Sequence, residues 1–403
     1  MKPKNIFTIL FCTLFLLSTV LVACQANPST TAVVTPEAPT AASVTEASLA
    51  GTTEAVTTTE DKVYNIVLSN NFVGNQWRLE MQNIAKAMAE NNAPYKGHVN
   101  FKVVVAEGDP TAQIQSLESI IATKPDAILI DASSPTALNP VLQKACAAGI
   151  VVVSFDQYVT EPCTYRVIVQ NDEQYQANGE WLVKTIGEKG NIFQDLGLPG
   201  QPNSQISNNL LNGVYADYPN ISVVGTYEGN YAPGPSQVAV ANALAAGMKI
   251  DAIYNLAGSD GVIQAYVQAG APDKINFVPV ANTGDISIRA LELIKEYKSN
   301  NLNVQFAWTP PTFGGYALEV AWRVLHNEDP VNADWGMLKG VDAKQVLLPL
   351  IVYNTNGIAT SSKADVRSVD DLMPALNEGL APDTQLPYSI PESPVTKAQV
   401  FDN

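Results

Sequence analysis

The run Val63-Tyr-Asn-Ile-Val-Leu-Ser-Asn-Asn-Phe-Val-Gly-Asn-Gln-Trp77 decides how the rest of the chain is read. Its apolar half stops abruptly at Ser69, Asn70 and Asn71. Trp77, Met81, Ile84, Ala85 and Met88 then recur at helical spacing. A polar cluster between a buried strand and an amphipathic helix marks the carboxyl end of a strand. In open α/β sheets, ligands bind at such ends.

Working outward, Val99, Phe101, Val103 and Val105 alternate as a second strand. Asp109-Pro110 then opens a helix bearing Ile114, Leu117 and Ile121, with Asp at the cap and Pro in the first turn. Strands at Asp126 to Asp131 and Ile150 to Phe155 enclose a helix carrying Leu138, Val141 and Leu142. Short uninterrupted apolar strands alternating with helices call for a parallel sheet covered on both faces. The alternation restarts after about residue 165. Strands are expected at Val167 to Val169, Asn191 to Leu196, Ile221 to Tyr227, Ala252 to Leu256 and Phe277 to Ala281, with helices near Gly179, Leu210, Val240, Val262 and Leu291. Val304 to Ala307 and Val346 to Val352 read as two further strands, with a helix over Phe313 to Leu325 and an irregular tail over 361–403.

With 403 residues, 46% of them hydrophobic, the chain can fill two cores. A net charge of −16 without a basic stripe argues against nucleic acid or anionic lipid as a direct partner. The two histidines, His98 and His326, stand apart from other ligand-type residues, so neither a metal nor a cofactor is called for. Phosphate-loop, nucleophile-elbow and zinc-protease motifs are absent as well. An exported α/β enzyme therefore lacks a recognisable nucleophile and base.

At the N-terminus, Lys2 and Lys4 precede an uncharged run from Ile6 to Val22, as in a secretory signal; a transmembrane anchor is the alternative. Leu21-Val-Ala-Cys24 resembles a bacterial lipobox, which implies cleavage after residue 23, a lipid on Cys24 and attachment to the outer face of the cell membrane. Residues 24–62 are rich in Ser, Thr, Ala and Pro and have no basic residue except the lysine at their end, reading as a disordered tether with a reach of roughly 30 to 35 Å. Cys146 and Cys163 flank one strand in an exported chain. A disulfide is expected there, worth on the order of 3 kcal/mol, with two buried thiols as the alternative.

In order along the chain, S-N-N-F-V-G-N-Q-W, V-V-V-S-F-D-Q, G-L-P-G, A-G-S-D-G and A-W-T-P-P-T-F-G-G resemble the type I periplasmic sugar-binding proteins, the ribose-binding-like receptors of ABC importers. The resemblance covers roughly residues 63 to 355. It implies two doubly wound parallel-sheet lobes joined by a three-segment hinge that closes on a ligand. One lobe is expected to hold 63–169 plus 309–340, the other 170–308 plus 341–360, with the third crossing before Val346. The implied function is capture of a small neutral ligand, a monosaccharide, by a monomer that delivers it to an ABC permease. A sensor that presents the ligand to a signalling partner is the alternative.

Carried over onto this sequence, the ligand site comprises Asn71 and Phe72, Asp156 and Gln157, Ser259 and Asp260, Asn282 where the family usually has an acid, and Trp308 where it often has Gln. Asn208 joins them as an amide on the helix after G-L-P-G. Family members often have Arg after the aspartate, where this chain has Gln157, and another Arg in that helix, where Ser207, Asn208 and Asn209 stand. Other readings of single residues remain open: Asp156 and Asp260 as helix caps, Asn71 as a turn residue, Phe72 and Trp308 as core, Trp77 as core. Arg78, at the start of a helix, is the one cation near these loops, so a buried anion would lack a counter-charge.

Overall fold

The computed structural model describes residues 62–169, 172–270, 275–284, 286–330, 339–342 (backbone), 344–360, 364–386 and 400. The signal sequence, Cys24 and nearly all of the tether lie outside the described residues. So does 387–399 of the tail. Among the described residues no helix is long and apolar enough to cross a membrane.

The described residues open with β1 (Tyr64–Asn70), α1 (Gln76–Asn91), β2 (Val99–Val105), α2 (Pro110–Ala122), β3 (Ala127–Asp131), α3 (Asn139–Ala147), β4 (Val151–Phe155) and β5 (Tyr165–Val169). It continues through α4 (Glu173–Thr185), β6 (Gly190–Asp195), α5 (Pro202–Ala216), β7 (Ile221–Tyr227), α6 (Pro233–Ala245), β8 (Ala252–Asn255), α7 (Ser259–Ala269), β9 (Val280–Gly284), β10 (Ile286–Ser287) and α8 (Ile288–Tyr297). After β11 (Val304–Trp308) and α9 (Phe313–Leu325) come β12 (Lys339–Asp342), β13 (Gln345–Leu348), β14 (Ile351–Asn354), β15 (Asp365–Ser368) and β16 (Gln385–Leu386). The protein is α/β, with two mainly parallel sheets. Their strand orders are β12-β13-β5-β4-β3-β1-β2 and β15-β14-β11-β9-β8-β6-β7.

The first sheet shows why its strands read as continuous apolar runs. Ile128 and Ile130 pack toward Leu117, Val141 and Leu142 of α2 and α3. Ala127 and Leu129 face the opposite way, into a core with Met81, Ile84 and Met88 of α1. Both faces are covered, so the period-2 alternation divides one apolar set between two cores. The expected cap of α2 is present: Asp109 accepts from the Thr111 amide at 2.9 Å, with Pro110 in the first turn. Cys146 and Cys163 are joined as a disulfide.

Two expectations about the C-terminal third are corrected. The apolar run from Val346 to Val352 is two strands, not one. β13 runs parallel to β5, with Val346 opposite Val167, whereas β14 runs antiparallel to β11 in the other sheet. Pro349 falls between them and lacks the N–H a strand needs, so the chain crosses between sheets there. Residues 345–348 thus extend the first sheet, and the third crossing comes after Leu348 instead of before Val346. The tail is also more regular than expected. β15 adds to the second sheet beside β14, and β16 pairs antiparallel with β10.

Candidate functional site

The carboxyl ends of the two sheets face a cavity of about 370 Å³, within the usual range for small-molecule sites. Contacts across its rim hold the two halves together. Asn71 Nδ2 donates to Gln201 Oε1 at 2.8 Å, Asn75 Nδ2 to the Tyr231 carbonyl at 3.1 Å, and Asn203 Nδ2 to Asp156 Oδ1 at 3.0 Å.

At the centre of the first-lobe wall is Arg78, buried to 2% exposure in the first turn of α1. Asn75 caps that helix by accepting from the Arg78 amide at 3.0 Å, which fixes where the side chain departs. The guanidinium forms an ion pair with Asp131 at the end of β3. Its Nη1 also donates to Asn70 Oδ1 at 3.0 Å and Asn71 Oδ1 at 2.7 Å. The Phe72 ring lies 4.7 Å from the guanidinium carbon, a cation–π distance. Ser69, Asn70 and Asn71 are fully buried, and this arginine is what the last two serve.

Asp156, whose backbone takes a positive φ of 50°, faces Arg78 with Oδ2 4.0 Å from Nη2. That separation exceeds a hydrogen bond. Burial pushes the Asp131 carboxyl well above the usual carboxylate range, Arg78 pulls against the rise, and Asp156 adds to it. Burial raises Asp156 too, opposed by Arg78 and by the Asn203 amide. One guanidinium is thus shared by two acids.

The second lobe supplies hydroxyls, amides and aromatic faces. Tyr231, at φ 55°, donates or accepts with Ser204 Oγ at 2.6 Å, and Tyr175 of α4 lines the same cavity. Thr283 Oγ1 is held by Asn178 Nδ2 at 2.7 Å and the Tyr254 hydroxyl at 3.0 Å. The A-G-S-D-G motif packs closely against the 232–233 turn. Gly258 has φ +85°, and a Cβ there would meet the Ala232 carbonyl carbon at 2.6 Å; at Gly261 it would collide with the Pro233 carbonyl. Asp260 lines the cavity from the first turn of α7, its carboxyl raised by burial and lowered by its own amide, Arg289 and Ser287. It serves the helix start and faces the cavity at once.

Of the nine residues named from sequence, Asp156, Gln157, Ser259 and Asp260 line the cavity. Asn71 and Phe72 stand one layer behind, holding Arg78. The other three are placed elsewhere. Trp308 is in the core at the end of β11, and the next residue, Thr309, lines the cavity. Asn282 is buried within β9, while Thr283 and Gly284 line the cavity. In both strands the residues that meet the ligand space lie further on, toward or beyond the strand's carboxyl end. Asn208 accepts from Gln194 Nε2 at 2.9 Å and donates to the Leu196 carbonyl, bracing β6; from the same helix it is Asn203, in the first turn, that lines the cavity. Trp77 does both jobs: its indole N–H donates to the Thr309 carbonyl at 2.8 Å, and its ring forms part of the wall. Arg78 is the main residue missed. Its signal was in the sequence, one helical turn from the capping Asn75.

Residues 66–329 match the family model for the periplasmic binding protein domain. The chain belongs to this family. Its members bind ligands and do not transform them, and they act outside the cytoplasm. This binding protein is 24% identical, over 36% of its own length and 48% of the relative's, to a D-apiose import binding protein of Actinobacillus succinogenes. The chain therefore matches about half the length of that relative. It is 26% identical to a D-ribose/D-allose-binding protein of Pseudomonas aeruginosa, over 68% of this chain and 86% of that one. A solved ABC transporter solute binding protein from Thermobispora bispora superposes with a TM-score of 0.63 and 28% identity, covering 79% of this chain and 89% of the other. Among the described residues no cluster of His, Cys, Asp and Glu could hold a metal ion.

Proposed function

We propose that this protein captures a neutral monosaccharide in the cleft and delivers it to an ABC permease, from a position outside the cytoplasm where a lipid on Cys24 tethers it to the membrane. The observation that carries the ligand class is the 4.0 Å gap between Arg78 Nη2 and Asp156 Oδ2 inside the cavity. A hydroxyl placed there accepts from the guanidinium and donates to the carboxylate. Neutral sugars carry adjacent hydroxyls suited to such paired sites. Trp77, Tyr175 and Tyr231 offer aromatic surface to the C–H face of a ring. The similarity to receptors named for D-apiose and for D-ribose or D-allose supports the same class.

Titration of the purified protein with D-ribose, D-allose, L-arabinose, D-fructose, D-tagatose and D-fucose, followed by tryptophan fluorescence, tests this reading. Saturable binding of at least one sugar is expected, reduced more than ten-fold by Asp156→Asn. Binding of none of them, with saturable binding of a dicarboxylate or a peptide, overturns it. Capture of a receptor kinase in place of a permease on crosslinking in membranes would move the protein from transport to sensing.

A further inference from the structure

The C-terminal segment around β16 lies outside the residues that match the family model, yet it lines the cavity. Asp383 and Gln385 stand on the cavity wall beside Asp260 and Ser287. The segment is held to the second lobe through its main chain. Leu386 pairs with Ile286 and Gln385 with Ser287, antiparallel. The first two amides of α8 find their acceptors there, Ile288 donating to the Thr384 carbonyl at 3.0 Å and Arg289 to the Pro382 carbonyl at 2.7 Å. Amides at a helix start have no partner within the helix, so this segment completes α8. Thr384 and Leu386 are buried, at 1% and 5% exposure.

The same segment reaches the first lobe. The Gln385 amide donates to Glu80 Oε1 at 2.9 Å, and Glu80, on α1, is fully buried. Further along, the Val400 carbonyl accepts from Asn83 Nδ2 at 3.0 Å on the same helix. Arg78, Glu80 and Asn83 thus follow one another along α1, the first facing the ligand space and the other two facing the tail. Gln385 Nε2 donates to the Asp383 carbonyl at 2.6 Å, and this fixes the amide with its oxygen as an acceptor.

We propose that residues 382–386 are a third wall of the binding site, spanning both lobes, and that Gln385 and Asp383 help select the ligand. The wall presents an amide oxygen and a carboxylate, both acceptors for hydroxyl groups. Its ligand preference is therefore for a molecule with a hydroxyl on the side away from Arg78 and Asp156. Deoxygenation at that position weakens binding, and an anionic group there is rejected by Asp383 together with Asp260. The selecting role rests on the sugar reading of the cavity, whereas the bridge between lobes does not.

Two measurements on the full chain separate these parts. In ligand-free protein, hydrogen exchange should find the amides of Gln385, Ile288 and Arg289 protected. Glu80→Ala should speed exchange at Gln385, and Glu80→Gln, which keeps an acceptor oxygen, should restore protection. Exchange at Gln385 as fast as in an unstructured chain overturns the proposal whatever the ligand. The second measurement repeats the six-sugar titration with Gln385→Ala and Asp383→Ala, whose apo melting temperatures show whether each variant is folded. Roughly five- to ten-fold weaker binding of the preferred sugar, with a changed order of preference, is expected for Gln385→Ala. Unchanged affinities and order in both variants, while Asp156→Asn weakens binding more than ten-fold, overturn the selecting role. If none of the six sugars binds but Gln385 is protected in a Glu80-dependent manner, the sugar reading fails and the bridging wall stands.

Discussion

Replacing Arg78 by Met tests the electrostatic centre of the site. The substitution keeps a similar length and removes the cation paired with Asp131, a carboxyl at 0% exposure. Breaking a buried pair by removing one partner costs about 3 to 5 kcal/mol, because the remaining charge has neither water nor counter-ion. The amide oxygens of Asn70 and Asn71 lose their donor as well. Relief comes by protonation. Both Asp131 and Asp156 already have folded-state pKa values above the ordinary carboxylate value, and Arg78 is what opposes the rise. A carboxyl with a raised folded pKa keeps its proton longer in the folded than in the unfolded chain. Stability therefore declines as pH climbs from the unfolded value toward the folded one. Without Arg78 that window extends upward. In urea unfolding, Arg78→Met is expected to lose about 3 to 5 kcal/mol at pH 8 and distinctly less at pH 5. A loss below about 1 kcal/mol at pH 8, or equal losses at the two pH values, would refute the account, since the arginine would then be acting through shape alone.

Phe72→Ala should weaken sugar binding by up to about ten-fold in the same fluorescence titration, acting through the Arg78 guanidinium it underlies at 4.7 Å instead of through the ligand. Replacing Cys146 and Cys163 together by Ser should lower unfolding stability by about 3 kcal/mol without altering affinity, as measured by paired denaturation and binding curves. Asp195 is raised to about 6 by burial against the bonds it accepts from Gly197, Leu256 and Gly229. Because its folded pKa lies above its unfolded one, wild-type stability should fall by roughly 2 kcal/mol between pH 4 and pH 6, and Asp195→Asn should flatten that slope in chemical denaturation. Cys24→Ser should release the protein from the membrane fraction into the soluble extracytoplasmic fraction on cell fractionation.

The strand and helix pattern was legible because each strand is short, apolar and covered on both faces, and because Asp109-Pro110 states its own cap. Pro349 ends a strand, but the apolar residues on either side made Val346 to Val352 look continuous. The site was harder to read for a geometric reason. Trp308 and Thr309, or Asn282 and Thr283, differ in sequence by one step, and only the second of each pair lies far enough along to line the cavity. No composition signal settles where a strand's last pleat falls. Asn71 and Phe72 illustrate a second obstacle. They were singled out as ligand contacts, and they stand instead against the arginine that faces the cavity. Recognising this requires knowing that α1 begins at Gln76 and turns Arg78 back over the end of β1.

The proposal of a neutral ligand rests on a reason other than the one the sequence suggests. Arg-poor loops suggest that a buried anion would lack a counter-charge, yet a buried arginine lies in the wall. What matters is its pairing. Asp131 holds one side of the guanidinium and Asp156 approaches the other at 4.0 Å, while Asp260 adds a third acidic group across the cavity. A carboxylate or phosphate ligand would have to take Arg78 from Asp156 and leave that carboxylate buried without its counter-charge, which costs several kcal/mol. A hydroxyl group asks for no such exchange. It fills the gap between donor and acceptor, satisfies both, and leaves every charge in the wall paired as before. On the proposed reading, selection against anions follows from how Arg78 is shared, and selection among neutral ligands is left to the amides, hydroxyls and aromatic faces around it.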